Sequence, residues 1–367
     1  MKNDALLFCP VAARRSRLVA VLLLTLSLLV SIAAPTFAAP QRGGRGGRPV
    51  TSPAGSMERL RGALQEIAQR FPGDVGVYVH HIESGMATGV DEDTPYGMAS
   101  TYKVPILVEL MTRVDAGDLR LDDRVEVQAE DQHIGSGLIS ALWAPGIEMS
   151  LRNVATFMII LSDNSATDIL IDRLGADRIT ARMRGLGFQS IRVDRTTLEL
   201  ILDYQGVDYE PVANATLQEI NRHSRDNRPD PAAVPAVREA FYDGDKDKAS
   251  ARDMTELLVM IAEGTAVSPE SSDLIMEILS RTQTGANRLR GLLPRGYRIS
   301  HKTGTIGRIV NDVGIITMPG DLGSFAISVF TLGDEPNTER GESTIAEMAR
   351  TAYDFFLFNA PAGGARR

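Results

Sequence analysis

Where the strand patterns fall constrains this chain more than anything else in it. Val75, Val77 and Val79 alternate with Gly76, Tyr78 and His80, the period of a half-buried strand, and Met86–Val90 follows a Glu83-Ser84-Gly85 turn as its partner. The remaining strand patterns come only near the other end: Arg298–Thr303, Ile309–Thr317 and Gly323–Leu332, the last alternating Phe325, Ile327 and Val329. A sheet built from both chain ends is antiparallel, and everything between must pack on it or form a second lobe. The expected fold is therefore α+β, an α/β sandwich with an inserted all-helical lobe and a cleft between the two.

The intervening stretches carry helical spacing. Met57–Arg70 places Leu60, Leu64 and Ile67 on one face before Phe71-Pro72-Gly73 closes it. Ser150 reads as the N-cap of a helix through Val154, Phe157, Met158, Ile159, Ile160 and Leu161, apolar nearly all round and so expected to be buried. Ser165–Leu174 ends at Gly175, and Asp177–Arg184 follows. Ser250–Glu263, Pro269–Arg281 with Ser268 as N-cap, and Ser343–Phe358 complete the set. Of 367 residues 43% are hydrophobic, enough for one large or two modest domains, while aromatics are only 5%, so aliphatic side chains and Met must fill the core. Trp143, the only tryptophan, is expected to plug the core or to line the cleft.

Charge and cysteine usage narrow the function. A net charge of −8 argues against a nucleic-acid partner. Residues 1–38 read as an export signal: Lys2, Arg14, Arg15 and Arg17, then an apolar run of about 15 residues, short for the ~20 of a membrane span, then Thr36-Phe37-Ala38 as a cleavage site. An exported, periplasmic or secreted protein is expected, with a membrane tie only if the signal stays uncleaved. The single cysteine, Cys9, would leave with that signal, so no disulfide is expected. Residues 39–56 are Gly, Arg, Pro and Ser without apolar spacing, a flexible tether, and 359–367 read as a frayed tail. His80-His81 project to opposite strand faces and no other ligand cluster occurs, so neither metal nor cofactor is expected.

Three short motifs carry chemistry. In Met98-Ala99-Ser100-Thr101-Tyr102-Lys103, a serine opens an apolar helix and a lysine follows three positions later. Such spacing puts both on one helix face, a hydroxyl beside a base, with helix-terminal N–H groups to stabilise developing charge. An N-cap serine beside a surface lysine would read the same way in isolation. Ser162-Asp163-Asn164 sits at an interhelical turn and Lys302-Thr303-Gly304 on a strand.

Together, in this order, they resemble the S-x-x-K, S-D-N and K-T-G set of class A β-lactamases and penicillin-binding proteins. The likeness extends over roughly 57–358, a single serine-hydrolase domain. It implies Ser100 as nucleophile, Lys103 as its base once neutral, and Ser162 as proton relay to the departing nitrogen. It implies Asn164 as holder of Lys103 and the substrate amide, with Asp163 fixing the turn. Lys302 and Thr303 would meet the substrate carboxylate, Gly304 would let substrate approach the strand edge, and the N–H groups of Ser100 and Thr305 would form the oxyanion hole. The implied partner is a small molecule, a β-lactam or a D-alanyl peptide, and the expected state a monomer. A D-alanyl-D-alanine carboxypeptidase or esterase of the same fold, or a penicillin-binding sensor that releases its acyl group slowly, shares every one of these residues.

The family's loop presents a glutamate just after an arginine, to activate the deacylating water, and closes with an aspartate. Here Arg195 is followed by Thr196 and Thr197, with Thr197 where the glutamate is expected. The nearest carboxylates are Glu199 and Asp203, and Glu199 is the expected deacylation base after a shift of register. Asp247 is the expected closing aspartate, so most of 204–246 reads as an insertion bordering the site, with helical patches at Leu217–His223 and Val234–Phe241.

Overall fold

The computed structural model describes residues 53–359; the expected signal, most of the tether and the tail beyond 359 lie outside the described residues. In chain order, α1 (Pro53–Gln69), β1 (Gly73–His81), β2 (Met86–Val90) and β3 (Pro95–Gly97) lead to a 3₁₀ turn at Ala99–Tyr102 and α2 (Lys103–Asp115). Next come β4 (Arg124–Val127), β5 (Ile147–Ser150), α3 (Leu151–Ile160), α4 (Asn164–Leu174) and α5 (Ala176–Gly185). The segment read as loop and insertion holds α6 (Thr197–Gln205), α7 (Leu217–Asp226) and α8 (Val234–Asp243). The chain closes with β6 (Lys248–Ser250), α9 (Ala251–Ala262), α10 (Pro269–Ser280), β7 (Ile299–Ile306), β8 (Ile309–Thr317), β9 (Ser324–Gly333) and α11 (Thr338–Asn359).

Five strands from the two chain ends form one antiparallel sheet in the order β2-β1-β9-β8-β7. Val77 and Val79 of β1 with Ile327 and Val329 of β9 pack on α1 and α11 through Leu60, Leu64, Ile345 and Phe356. The other face, through Tyr78, Val313, Ile315 and Phe330, joins the large core of the helical lobe. Both faces of β1 are thus covered, and it is buried over most of its length rather than half-buried. Its expected alternation reflects which core each side chain enters, not water against protein.

Several local expectations hold. Ser150, Ser250 and Ser268 cap α3, α9 and α10, each accepting a hydrogen bond from the backbone three residues on. Others do not. α11 begins at Thr338, five residues before the sequence pattern suggests, because Gly341 interrupts that pattern. That glycine is required by packing: a Cβ there would lie 2.6 Å from the Val310 side chain. Two small ribbons, β3–β6 and β4–β5, were too short to show a period. Trp143 is 93% exposed on the loop before β5 and neither plugs the core nor lines the cleft described below.

Candidate active site

Ser100 sits where the chain turns from β3 into the 3₁₀ turn. Ala99 makes the bend with φ +45°, a conformation L-residues rarely adopt. The Asn311 side chain of β8 fixes it, its Nδ2 donating to the carbonyls of Gly97 at 2.8 Å and Met98 at 3.1 Å. Strand β7 passes hard against this segment: a Cβ on Gly304 would stand 2.5 Å from the Met98 carbonyl and 3.1 Å from the Ser100 nitrogen. Gly304 therefore makes room for the protein's own backbone. Ser100 remains partly exposed while Thr101, Tyr102 and Lys103 are buried.

Lys103 and Lys302 are both fully buried. The Lys103 Nζ donates to the Ser162 carbonyl at 2.8 Å, the Ser162 Oγ at 3.1 Å and the Asn164 Oδ1 at 3.0 Å. An ammonium has three donors, and all three are engaged here, so in this arrangement no hydrogen bond joins Lys103 to Ser100, contrary to the spacing argument. The Lys302 Nζ donates to the same Ser162 Oγ at 3.0 Å and to the Thr303 carbonyl at 2.8 Å. Burial lowers the Lys103 pKa to about 7, against the pull of Asp168 and Asp163. Burial first, and the neighbouring Lys103 second, push Lys302 well below its ordinary value. Ser162, itself strained at φ +55°, accepts from both amines. With both lone pairs occupied, its own proton is left for a third partner.

The Ser162-Asp163-Asn164 turn is held by the Gly135-Ser136-Gly137 loop and the residues around it. The Asp163 carboxylate accepts from Leu138 N, Ile139 N and Ala166 N at 2.6–3.0 Å, capping α4 and fixing the turn as expected. The Ser136 Oγ donates to the Ser162 carbonyl at 2.7 Å, and Asn164 Nδ2 to the Ile134 carbonyl at 3.0 Å. A Cβ on Gly135 or Gly137 would run into Asn164 or Asp163, which is why both are glycine. On β7, the Thr303 and Thr284 hydroxyls share a hydrogen bond at 2.6 Å. The buried Arg288 reaches the Thr305 Oγ1 at 2.7 Å and the Gly304 carbonyl at 3.0 Å. Behind β7, His301 bridges Arg290 and Asp312. Arginine only donates, so Nε2 accepts and Nδ1 carries the proton towards Asp312.

These elements enclose a cleft of about 330 Å³ lined by Ser100, Tyr102, Asn164, Thr197, Tyr204 and Thr305 among others. The chain matches the model of the beta-lactamase enzyme family over residues 59–356. It belongs to that family. It is 25% identical to the beta-lactamase VEB-1 of Pseudomonas aeruginosa, across 77% of this chain and 85% of the relative. Among solved structures, a beta-lactamase from Sphaerobacter thermophilus superposes with a TM-score of 0.64 at 26% identity, covering 82% of this chain and 98% of that one. PBP-A superposes with a TM-score of 0.65 at 25% identity, covering 82% and 96%.

Against the β-lactamase pattern, the wall opposite Lys103 is the part that differs. Arg195 and Asp247 are joined, Nε to Oδ2 at 2.6 Å, both buried. Asp194 N donates to Asp247 Oδ1 and Asp247 N to Asp194 Oδ2, each at 2.7 Å. What lies between is a helix rather than an open loop. Thr196 caps α6 by accepting from Glu199 N at 3.1 Å, and Asp168 accepts from Thr197 N and Leu198 N at 2.6 and 2.9 Å. The His133 ring holds Asp168 from behind at 2.7 Å.

Once α6 forms, a turn of 100° per residue decides which side chains see Ser100. Thr197, Leu200, Ile201, Tyr204 and Gln205 share the cleft face, whereas Leu198 and Leu202 enter a small core with Val207, Val212 and Ile220. Glu199 falls on the far face, where its Oε1 meets Lys246 Nζ at 3.3 Å. It is not among the residues lining the cleft, so the register shift expected from the sequence does not bring it to Ser100. Asp203 turns outward as well, paired with Arg195. The glutamate's place is taken by Thr197, whose Oγ1 lies 2.6 Å from the Tyr102 hydroxyl. Burial and the nearby Asp168 hold Tyr102 well above the ordinary tyrosine pKa, so this pair is neutral.

Proposed function

We propose that this chain is an exported serine hydrolase that opens β-lactam rings by acyl transfer to Ser100 and then releases the acyl group slowly. The observation that carries the reading is the buried Lys103–Ser162–Lys302 relay beside a partly exposed Ser100. Neutral Lys103 takes the Ser100 proton as Oγ bonds to the lactam carbonyl carbon. The carbonyl oxygen gains charge facing the N–H groups of Ser100 and Thr305. As the C–N bond breaks, the nitrogen takes the Ser162 proton, which the Lys103 ammonium replaces along their 3.1 Å hydrogen bond. Lys302 and Thr303 offer hydrogen-bond donors for the substrate carboxylate, and Arg288 against Thr305 supplies a fixed cation behind them.

Hydrolysis of the resulting ester needs a base for water, and among the described residues no carboxylate lines the cleft. Slow release follows. The signal-like composition of 1–38 supports export, and the mature protein should begin at Ala39, as its intact mass would show.

Nitrocefin hydrolysis followed together with intact-protein mass tests the reading. A covalent adduct that decays over minutes or longer with measurable turnover is expected. A persistent adduct with no turnover would make the protein a sensor, and release of terminal D-alanine from a peptide would make it a carboxypeptidase. Absence of both adduct and hydrolysis would overturn the proposal.

A further inference from the structure

The insertion is bolted to the rim of the cleft. Tyr204, at the end of α6, and Tyr242, on α8, bring their hydroxyls together on Gly307, the turn between β7 and β8, where any Cβ would collide with both. The Tyr242 oxygen accepts from Arg308 N at 3.0 Å, and the Arg308 guanidinium lies 4.3 Å over the Tyr242 ring while pairing with Glu239 at 2.9 Å. Arg238 stacks 3.8 Å over the Tyr204 ring and donates to its hydroxyl. Phe241 meets both rings edge-on, at 5.3 and 5.7 Å. The helix end carrying Tyr204 is pinned too: a Cβ on Gly206, which sits at φ +72°, would come within 2.7 Å of Val237 on α8.

This clamp closes one particular end of the cleft. Resting on the acylation reading above, a substrate lies along β7 with its carboxylate by Lys302 and Thr303 and its carbonyl by Thr305. At ~3.3 Å per residue, the substituent on the carbon beside the carbonyl then extends past Ile306. There it meets Leu200, Ile201 and Tyr204. The cleft's volume of about 330 Å³ is already at the small end of the ~300–1,000 Å³ usual for ligand pockets.

We propose that Tyr204, held in place by Arg238 and Tyr242 of the insertion, is a specificity-determining residue that admits β-lactams with slim side chains and rejects those branched next to the ring. A purely structural role for the aromatic cluster would leave that preference unchanged when the clamp is loosened.

The test compares acylation rate constants for benzylpenicillin and methicillin, which share a nucleus and differ in side-chain bulk, in the full exported chain. Steric discrimination of this size spans ~10–200-fold, and wild type should favour benzylpenicillin by at least about tenfold. Tyr204→Ala should bring the two rates together by about tenfold or more. Tyr242→Phe, which does not alter the lining, should narrow the ratio by a smaller factor. Equal wild-type rates overturn the filter, as does an unchanged ratio in a folded Tyr204→Ala. Where that variant fails to unfold cooperatively, an unchanged ratio in Tyr242→Phe overturns it instead. No adduct from wild type with either penicillin overturns the acylation reading and the filter with it.

Discussion

The two walls that flank Ser100 are built from different materials. On one side, Lys103 and Lys302 are buried against a single hydroxyl, and the hydrogen bonds they donate end on Ser162, Asn164 or Thr303. On the other, α6 offers Thr197, Leu200, Ile201, Tyr204 and Gln205, none of them charged. The first wall is equipped to move protons during attack on a carbonyl. The second shapes the cleft but has no group to activate a water. In such a site bond formation and bond release are separable, because each depends on a different wall.

The sharpest way to break the contrast is Ser100→Ala. Covalent labelling by a fluorescent penicillin should vanish, with the thermal transition within a few degrees of wild type, since the side chain is partly exposed. Undiminished labelling would remove Ser100 from the chemistry. The second experiment carries the missing function across. Thr197→Glu places a carboxylate where the hydroxyl now meets Tyr102, and general-base assistance of about 10²–10⁴-fold should shorten the adduct lifetime by at least ~100-fold. A lifetime as long as that of wild type would mean that the wall's composition is not what delays release.

Smaller effects sharpen the charged side. Lys302→Ala should lower acylation efficiency by about 10–100-fold, in line with the ~1.5–3 kcal/mol of hydrogen bonds to charged groups. An efficiency unchanged from wild type with both penicillins and cephalosporins would show the carboxylate held elsewhere. Acylation by wild type should rise with pH and level off above about 7, because Lys103 accepts a proton only when neutral and its burial sets that midpoint. A pH-independent rate from 5 to 9 would exclude Lys103 as the base. The smallest effect is expected of Glu199→Gln. Its pair with Lys246 is partly exposed, so stability should change by ~1 kcal/mol or less and adduct lifetime by less than about twofold. A lifetime lengthened tenfold would return Glu199 to the role the sequence suggested.

The charged wall was legible in the chain because short motifs fix it: Ser100 to Lys103 is one helical turn, and Ser162-Asp163-Asn164 is one tight bend. The sheet was legible for a similar reason, as period two shows in β1 and β9 without any knowledge of their partners. The other wall depended on a local choice that spacing alone does not settle. Thr196-Thr197-Leu198-Glu199 is a capped helix start, with Thr196 accepting from Glu199 N, and reading it as loop left Glu199 free to point anywhere. The Thr-x-x-Glu pattern was the signal available. Arg288 and Ser136 gave less warning. An arginine in a polar stretch and a serine between glycines acquire their roles only when β7 and the Ser162 turn fold against them.

Arg195, Asp194 and Asp247 have a consequence for how this wall can change. Their hydrogen bonds bring the two ends of a long excursion into one largely buried cluster, so whatever lies between leaves and returns at the same point. Closing such an excursion grows more costly only with the logarithm of its length, about 0.6 kcal/mol per doubling. Residues 204–246 are in that sense a cartridge. A shorter or foreign segment fitted between the same anchors would leave Lys103, Ser162 and Lys302 undisturbed, and would give the same nucleophile a different choice of substrates.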